Sequence, residues 1–137
     1  MKNMVLGIGH AAYNTAQMDN MLDFYCNRLG FRHAFTIHDD NGNPWIQYIK
    51  VADNMFIELF YATPEQIKNG DSRYHHLCVR VNDIHKTADY LKANDVPIIW
   101  GGPSMGKDKN WQCWCEDPDG NKIEFMCISP ESPQANA

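Results

Sequence analysis

Two stretches of the chain place apolar side chains at helical spacing. The first stripe consists of Met18, Met21, Leu22, Tyr25 and Leu29. Gly30 follows it and is suited to end a helix. The second stripe consists of Ile84, Thr87, Ala88 and Leu91. Asn82 or Asp83 can cap the start of this second helix, and Pro97 prevents it from continuing. The pattern therefore predicts two amphipathic helices.

Segments with the alternating pattern of strands flank both helices. One such segment precedes each helix, at roughly residues 5–14 and 74–82, and about three follow it. Turn-forming residues separate the strands at 39–43, 53–54, 101–110 and 117–120. Each half therefore predicts the order strand, helix, strand, strand, strand, which is an α+β arrangement.

The two halves are too small to be independent domains. The chain has 137 residues, which fits one domain, 1–137, built from two half-size modules that share a core. Residues 63–72 are rich in turn formers and predict a linker between modules at 1–62 and 73–129. The tail after Ser129 contains two prolines and is expected to be loose.

An internal repeat relates the halves. A shift of 66 positions superimposes four pairs of like residues without a gap: His10 on His76, Trp45 on Trp111, Asp53 on Asp119 and Glu58 on Glu124. The helical stripes and their flanking strands coincide under the same shift, which a chance match of single residues would not produce. We therefore predict an internal duplication.

The duplication repeats a carboxylate in the middle of an apolar strand. Strand alternation places Glu58 on one face with Phe56 and Phe60, and Glu124 occupies the equivalent position in the second half. A desolvated carboxylate is unfavourable unless a cation or hydrogen bonds compensate it. Because this happens twice, at equivalent positions, a shared cation is the simplest compensation.

Two histidines can complete such a site. His76 lies on the strand face of Cys78 and Arg80, and His10 is its repeat partner. Two imidazoles and two carboxylates suit one divalent transition metal ion, such as Ni, Zn, Co, Mn or Fe, whose two positive charges the carboxylates neutralise. The alternative is that all four are ordinary hydrogen-bonded strand residues.

Composition and charge exclude several classes of protein. Apolar residues make up 44% and charged residues 21% of the chain, as in globular proteins, and the apolar runs are too short for a membrane span. The net charge is −5 and no basic run exceeds the pair Lys107 and Lys109, which argues against a nucleic-acid partner. No secretory leader or lipidation signal is visible at the amino terminus, so the cytoplasm is the expected location.

The cysteines indicate reduced, buried thiols. They are Cys26, Cys78, Cys113, Cys115 and Cys127. Their number is odd, they form no CxxC pair and they lie inside apolar patterns, so we expect neither a disulfide nor a zinc ribbon.

These motifs resemble the vicinal oxygen chelate superfamily, which includes glyoxalase I, methylmalonyl-CoA epimerase, extradiol dioxygenases and bleomycin-resistance proteins. The resemblance covers nearly the whole chain and rests on residues 9–10, 22–25, 29–31, 57–60, 75–79, 81–84 and 117–124. It implies paired βαβββ modules that form a half-open mixed β-barrel, with a metal ion on its concave floor. It also implies a homodimer, and metal ligands at His10, Glu58, His76 and Glu124.

The two-His, two-Glu set looks most like bacterial glyoxalase I. That resemblance implies a metal-dependent lyase or isomerase that transfers a proton next to a carbonyl through a metal-stabilised enediolate. Glu124 would be the base, and Glu58 would serve the opposite face of the substrate. Glyoxalase I holds glutathione through an Arg and an Asn, whose places are taken here by Asn14 and Ala62. An acyl-CoA epimerase is the alternative, and a drug-binding protein of the bleomycin-resistance type is an alternative of another class.

The strand pattern also predicts residues that would contact a small-molecule substrate. Phe56, Phe60, Tyr74 and Trp111 are expected to wall a pocket, although aromatic residues at strand spacing also suit a core. Arg80 and Lys107 could bind a phosphate or carboxylate, with solvated side chains as the alternative. Asn14, on the strand face of His10, is a further predicted substrate contact.

Overall fold

The computed structural model describes residues 1–28, 30–68, 73–116 and 122–137. The strands within these ranges are β1 Val5–Thr15, β2 Arg32–His38, β3 Pro44–Ala52, β4 Met55–Tyr61, β5 Tyr74–Val81, β6 Ile99–Met105, β7 Trp111–Glu116 and β8 Lys122–Cys127. The helices are α1 Met18–Leu22, α2 Pro64–Lys68, α3 Ile84–Ala93 and α4 Pro133–Asn136. The predicted α+β class and the order strand, helix, strand, strand, strand in each half are confirmed. The turn predicted at 117–120 lies outside the described residues.

The first predicted helix differs from its expectation. It is α-helical only over Met18–Leu22 and continues as a π-helical segment, Asp23–Arg28. The wider turn of a π-helix changes which side chains face the sheet, and here Tyr25 and Cys26 both pack against the cluster beneath it. Leu29, the last residue of the predicted stripe, lies outside the described residues.

The chain folds as two compact units. The first unit contains residues 10–75 and Ala137, and the second contains residues 1–9 and 76–136. The amino-terminal part of β1 therefore belongs to the second unit. The segment expected to be a linker contains the short helix α2, while residues 69–72 lie outside the described residues.

The first unit is built on β2, β3 and β4, which pair antiparallel, with β1 added parallel to β4. Met18 of the first helix packs with Ile49 and Leu59 on one face of these strands. The prediction that Leu59 and Ile57 lie beneath the helix is therefore confirmed. The opposite face of β4 is left to Phe56, Glu58 and Phe60.

The second unit repeats this arrangement. β5 pairs parallel with β8, which pairs antiparallel with β7, and β7 pairs with β6. The side chain of Asp83 caps α3 by accepting hydrogen bonds from the backbone N–H groups of His85 and Lys86. The apolar side of α3 covers a core that consists of Val81, Ile84, Ala88, Leu91, Cys113, Cys115 and Phe125.

All five cysteines are free thiols. Burial raises the pKa of the Cys113 thiol to about 11, and the neighbouring Cys115 adds to the shift. Burial also raises the pKa of Cys127. Because the thiolate is the reactive form, Cys113 and Cys127 are unreactive thiols at neutral pH. The prediction of buried cysteines is confirmed for Cys78, Cys113 and Cys115, whereas Cys26 and Cys127 are half-buried.

The expectation of a loose tail is wrong. The segment after Ser129 contains the short helix α4, and Gln134 of that helix is buried. The side-chain amide of Gln134 donates a hydrogen bond to Asp108 over 2.6 Å, and the backbone N–H of Ser129 donates one to Asn110. Polar side chains of the loop before β7 thus hold a segment whose two prolines suggested a free end.

No helix in the described parts of the chain is long and apolar enough to cross a membrane.

Gly9 marks a close approach between β1 and β5. A Cβ atom at this position would lie 2.8 Å from Cγ of Arg80 and 3.1 Å from Sγ of Cys78. We expect Gly9→Ala to lower the free energy of unfolding by about 1–3 kcal/mol, because overpacking displaces neighbouring side chains. Urea denaturation measures the effect, with the exposed Ser104→Ala as a control that should change little. Equal stability of Gly9→Ala and the parent chain would contradict the prediction.

Candidate metal site and its surroundings

The first unit contains a buried pair of a histidine and a carboxylate. Nε2 of His10 lies 3.2 Å from Oε1 of Glu58, and the two residues are 2% and 3% exposed. The parallel pairing of β1 with β4 sets Ala12 opposite Glu58. His10 lies two residues before Ala12, on the same face of β1, and from there its imidazole reaches the Glu58 carboxylate.

The second unit contains an equivalent pair. Nε2 of His76 lies 3.3 Å from Oε2 of Glu124, and these residues are 2% and 5% exposed. The register repeats as well, because Cys78, the repeat partner of Ala12, lies opposite Glu124. The duplication predicted from the sequence therefore extends to the strand pairing that brings each histidine to its carboxylate.

An aromatic side chain lies directly across from each carboxylate. Tyr48 pairs with Glu58 and Trp114 pairs with Glu124 in the antiparallel registers. The Tyr48 ring lies edge-on to His10, with ring centroids 6.3 Å apart. The sequence pattern did not single out either aromatic residue, although the shift of 66 positions superimposes them. Only the register of the paired strands places these residues opposite the carboxylates, and that register is known only for the folded chain.

The two aromatic residues make different hydrogen bonds. The hydroxyl of Tyr48 donates a hydrogen bond to Oε1 of Glu58. The indole N–H of Trp114 instead donates to the side chain of Gln112, over 3.2 Å. Glu58 is therefore oriented by a neighbouring hydroxyl, whereas the residue in the equivalent position beside Glu124 directs its donor elsewhere.

The donor set of each pair fits a borderline divalent metal ion. An imidazole nitrogen and a carboxylate oxygen are ligands of Zn, Ni, Co, Mn and Fe alike. The two histidines and the two glutamates are almost completely buried, so the two carboxylates are shielded from water. One pair supplies two ligands, fewer than the three or four protein ligands of a typical zinc site.

The aromatic residues predicted to contact a substrate differ in burial and in their neighbours. Phe56 is buried in the core cluster of the first unit, with Tyr48 as a neighbour 5.8 Å away between ring centroids. Phe60 stacks on His75, with ring centroids 4.1 Å apart and planes inclined by 13°. Tyr74 is exposed at the start of β5. For Phe56, packing therefore accounts for the side chain by itself.

Trp111 lies on the opposite face of β7 from Trp114. It shares a face with Cys113 and Cys115, which pack beneath α3, and its ring lies 5.4 Å from that of His85 on this helix. Trp114 instead contacts His76, with ring centroids 4.8 Å apart. Of the two tryptophans of β7, it is therefore Trp114 that lies beside a candidate ligand, while the substrate contact predicted for Trp111 stays a prediction.

The polar residues predicted to contact a substrate also differ in surroundings. The side chain of Arg80 lies along Gly9, and its buried Nε has no hydrogen-bond partner within the described residues. Lys107 is exposed in the loop after β6. Asn14 lines a cavity of about 410 Å³ in the first unit, together with Tyr13, Tyr25, Lys68 and Arg73.

Three comparisons place the chain among known proteins. The profile of the Glyoxalase/Bleomycin resistance protein/Dioxygenase superfamily matches residues 7–125. A 2-epi-5-epi-valiolone epimerase of Actinomyces sp. is 26% identical over 154 residues, covering 93% of this chain and 82% of the relative. A probable lactoylglutathione lyase of Synechocystis sp. is 25% identical over 123 residues, covering 88% of this chain and 94% of the relative.

Solved structures agree in fold. The crystal structure of methylmalonyl-CoA epimerase from Mycobacterium tuberculosis superimposes with a TM-score of 0.80 and 19% identity, covering 100% of this chain and 96% of that one. At this identity the likeness shows the fold alone. Together with the profile match, it confirms the resemblance and the glyoxalase-like α+β fold predicted from the sequence.

The hydrogen bond from Tyr48 to Glu58 predicts a measurable effect on metal binding. Tyr48→Phe removes the hydroxyl that orients the carboxylate, so we expect the Kd for Co²⁺ or Ni²⁺ to rise about tenfold. Isothermal titration calorimetry measures the constant. Tyr90→Phe, on the exposed side of α3, is the matched control and should leave it unchanged. An unaltered Kd in Tyr48→Phe would show that the hydroxyl does not support a ligand.

Proposed function

The chain belongs to the Glyoxalase/Bleomycin resistance protein/Dioxygenase superfamily, and we propose that it is a metal-dependent enzyme that transfers a proton on a carbon next to a carbonyl. The observation that supports this most is the pair of buried His–Glu contacts at equivalent positions of the two units. Relatives named as a lyase and as an epimerase are consistent with enzymatic activity in this family.

The proposed metal ligands are His10, Glu58, His76 and Glu124. One His–Glu pair supplies too few ligands for a typical site, so one divalent ion per site would use both pairs. The pairs would come from one chain or from the two chains of a homodimer, the assembly that the family resemblance implies. When bound, the ion supplies electrostatic stabilisation of the negative charge that develops on a substrate oxygen during proton removal.

We assign the role of base to Glu124. The carboxylate of Glu58 is oriented by the Tyr48 hydroxyl, and at the equivalent position Trp114 makes its hydrogen bond to Gln112 instead. The family resemblance gives the role of base to Glu124, whose carboxylate would turn from the metal towards the substrate proton. Glu58 would serve the opposite face of the substrate, where a second acid–base group is needed if the proton returns from that side.

Arg80 is the proposed contact for an anionic group of the substrate. Its buried Nε has no hydrogen-bond partner within the described residues, and its side chain lies on the strand that also bears His76. A guanidinium group binds a carboxylate or phosphate through paired hydrogen bonds. Lys107, Asn14, Phe60 and Tyr74 remain proposed contacts from the sequence.

Two outcomes of the proton transfer are proposed. The leading one is a lyase or isomerase reaction of the glyoxalase I type, which the set of two His and two Glu favours. The second is epimerisation of an acyl-CoA or a related carbonyl compound. It is favoured by Asn14 and Ala62, which stand where glyoxalase I holds glutathione, and by the relative named as a valiolone epimerase.

Metal content is the first test of the proposal. Protein purified without chelator should contain about one equivalent of a transition metal per proposed site, and His76→Ala should lose most of it, because a ligand is removed. Elemental analysis and the shift of Tm with added Ni²⁺, Co²⁺, Mn²⁺ or Zn²⁺ measure this. Glu65→Gln, on the exposed surface of α2, is the control and should keep the metal. Absence of both metal and stabilisation would exclude the enzyme and favour a drug-binding protein.

The base is tested by exchange of the substrate α-proton with solvent. The assay in D₂O uses the hemithioacetal of methylglyoxal and glutathione, methylmalonyl-CoA and 2-epi-5-epi-valiolone, with NMR detection. On whichever compound the parent chain acts, Glu124→Gln should slow exchange by roughly 10²–10⁴-fold, because it removes the base. Metal content reports whether the variant keeps its ion.

The exposed Glu131→Gln, in the same unit, is the matched control and should exchange at the parent rate. Retained exchange in metal-loaded Glu124→Gln would refute the role of this residue. The product formed by the parent chain separates the two outcomes, since lyase and epimerase reactions give different NMR spectra.

A further inference from the structure

Trp100 is a large apolar side chain in an unusual environment. It is 67% exposed at the start of β6, although tryptophan is normally mostly buried. Its backbone φ is 58°, in the left-handed region that a bulky side chain adopts only when its surroundings enforce it. Exposure and backbone strain together indicate a residue positioned for contact with something outside the core.

Trp100 is connected to a candidate metal ligand through Trp114. The two indole rings are tilted against each other with centroids 5.4 Å apart. Trp114 in turn lies edge-on to His76, with centroids 4.8 Å apart. Two ring contacts therefore connect the solvent-exposed indole of Trp100 with the buried imidazole of His76.

A cationic group accompanies these two indole rings. Nζ of Lys122 lies 5.6 Å from the centre of the Trp100 ring. In the antiparallel register of β7 with β8, Trp114 is opposite Glu124, and alternation puts Lys122 on the same face of β8 as Glu124. The two tryptophans and the ammonium group thus adjoin the second His–Glu pair on its own face of the sheet.

We propose that Trp100, Trp114 and Lys122, here called the aromatic platform, bind a flat conjugated part of the substrate that bears a carboxylate or a similar anion. The flat part would stack on the exposed indole ring of Trp100, which Trp114 supports from the side, and the anion would meet the ammonium group. An aliphatic anion would use only the lysine, and a neutral ring only the tryptophans. This inference rests on the proposed function, since it names the substrate class of the same site.

The test compares three ligands that separate the two contacts. Naphthalene-2-carboxylate is flat and anionic, naphthalene-2-carboxamide is flat and neutral, and decahydronaphthalene-2-carboxylate is anionic and not flat. Calorimetry on the full chain, as purified, should give an affinity for naphthalene-2-carboxylate about fivefold or more above the other two.

Substitutions in the aromatic platform test whether it causes the preference for naphthalene-2-carboxylate. Trp100→Leu should lower the affinity for naphthalene-2-carboxylate about fivefold or more and leave that for decahydronaphthalene-2-carboxylate nearly unchanged. Lys122→Gln should abolish the preference for carboxylate over carboxamide. Trp45→Leu, another partly exposed tryptophan, is the matched control and should behave like the parent chain.

Either of two results would overturn the inference: equal affinity for the carboxylate and the carboxamide, or an unchanged affinity in Trp100→Leu. Trp100 and Lys122 lie outside the buried core, and circular dichroism verifies that both variants fold. Because the titration does not require turnover, its failure is separate from a failure of metal binding or of solvent exchange. A chain that binds metal and exchanges the α-proton but ignores naphthalene-2-carboxylate would keep the proposed function and lose the platform.

Discussion

The structure depends on burying a carboxylate beside an imidazole on an otherwise apolar strand. Such a carboxylate is unfavourable in a core unless it finds a partner, and each unit supplies one through the same offset of paired parallel strands. Ala12 opposite Glu58 and Cys78 opposite Glu124 express that offset. The duplicated fold thereby creates two equivalent donor pairs, which the proposed metal ion would neutralise.

Equivalent positions do not imply equivalent chemistry. Tyr48 and Trp114 occupy matching places across from the two carboxylates, yet only Tyr48 has a hydroxyl to donate to its partner. A single difference in side chain therefore distinguishes the surroundings of the two pairs. The duplication provides the four proposed ligands, and the residues across from the two carboxylates differ between the halves.

The same divergence shapes the surroundings of the second pair. Trp114 links His76 to the strained and exposed Trp100, whereas Tyr48 lies among the buried aromatic residues of the first unit. The first pair is therefore enclosed by packing, and the second adjoins an exposed aromatic surface with a nearby ammonium group. A flat anionic substrate would find its contacts beside Glu124, the residue proposed to take the proton.

The sequence predicted the order of strands and helices, the duplication and the faces of Glu58 and Glu124, because helical and strand periodicity are local properties of the chain. It could not identify Tyr48 and Trp114 as neighbours of the carboxylates, since register across a turn depends on how whole strands pair. The ordered tail likewise depends on side-chain hydrogen bonds with distant residues, such as the one that Gln134 donates to Asp108. The π-helical segment packs Tyr25 and Cys26 on the cluster beneath it. Only tertiary structure brings such distant groups into contact.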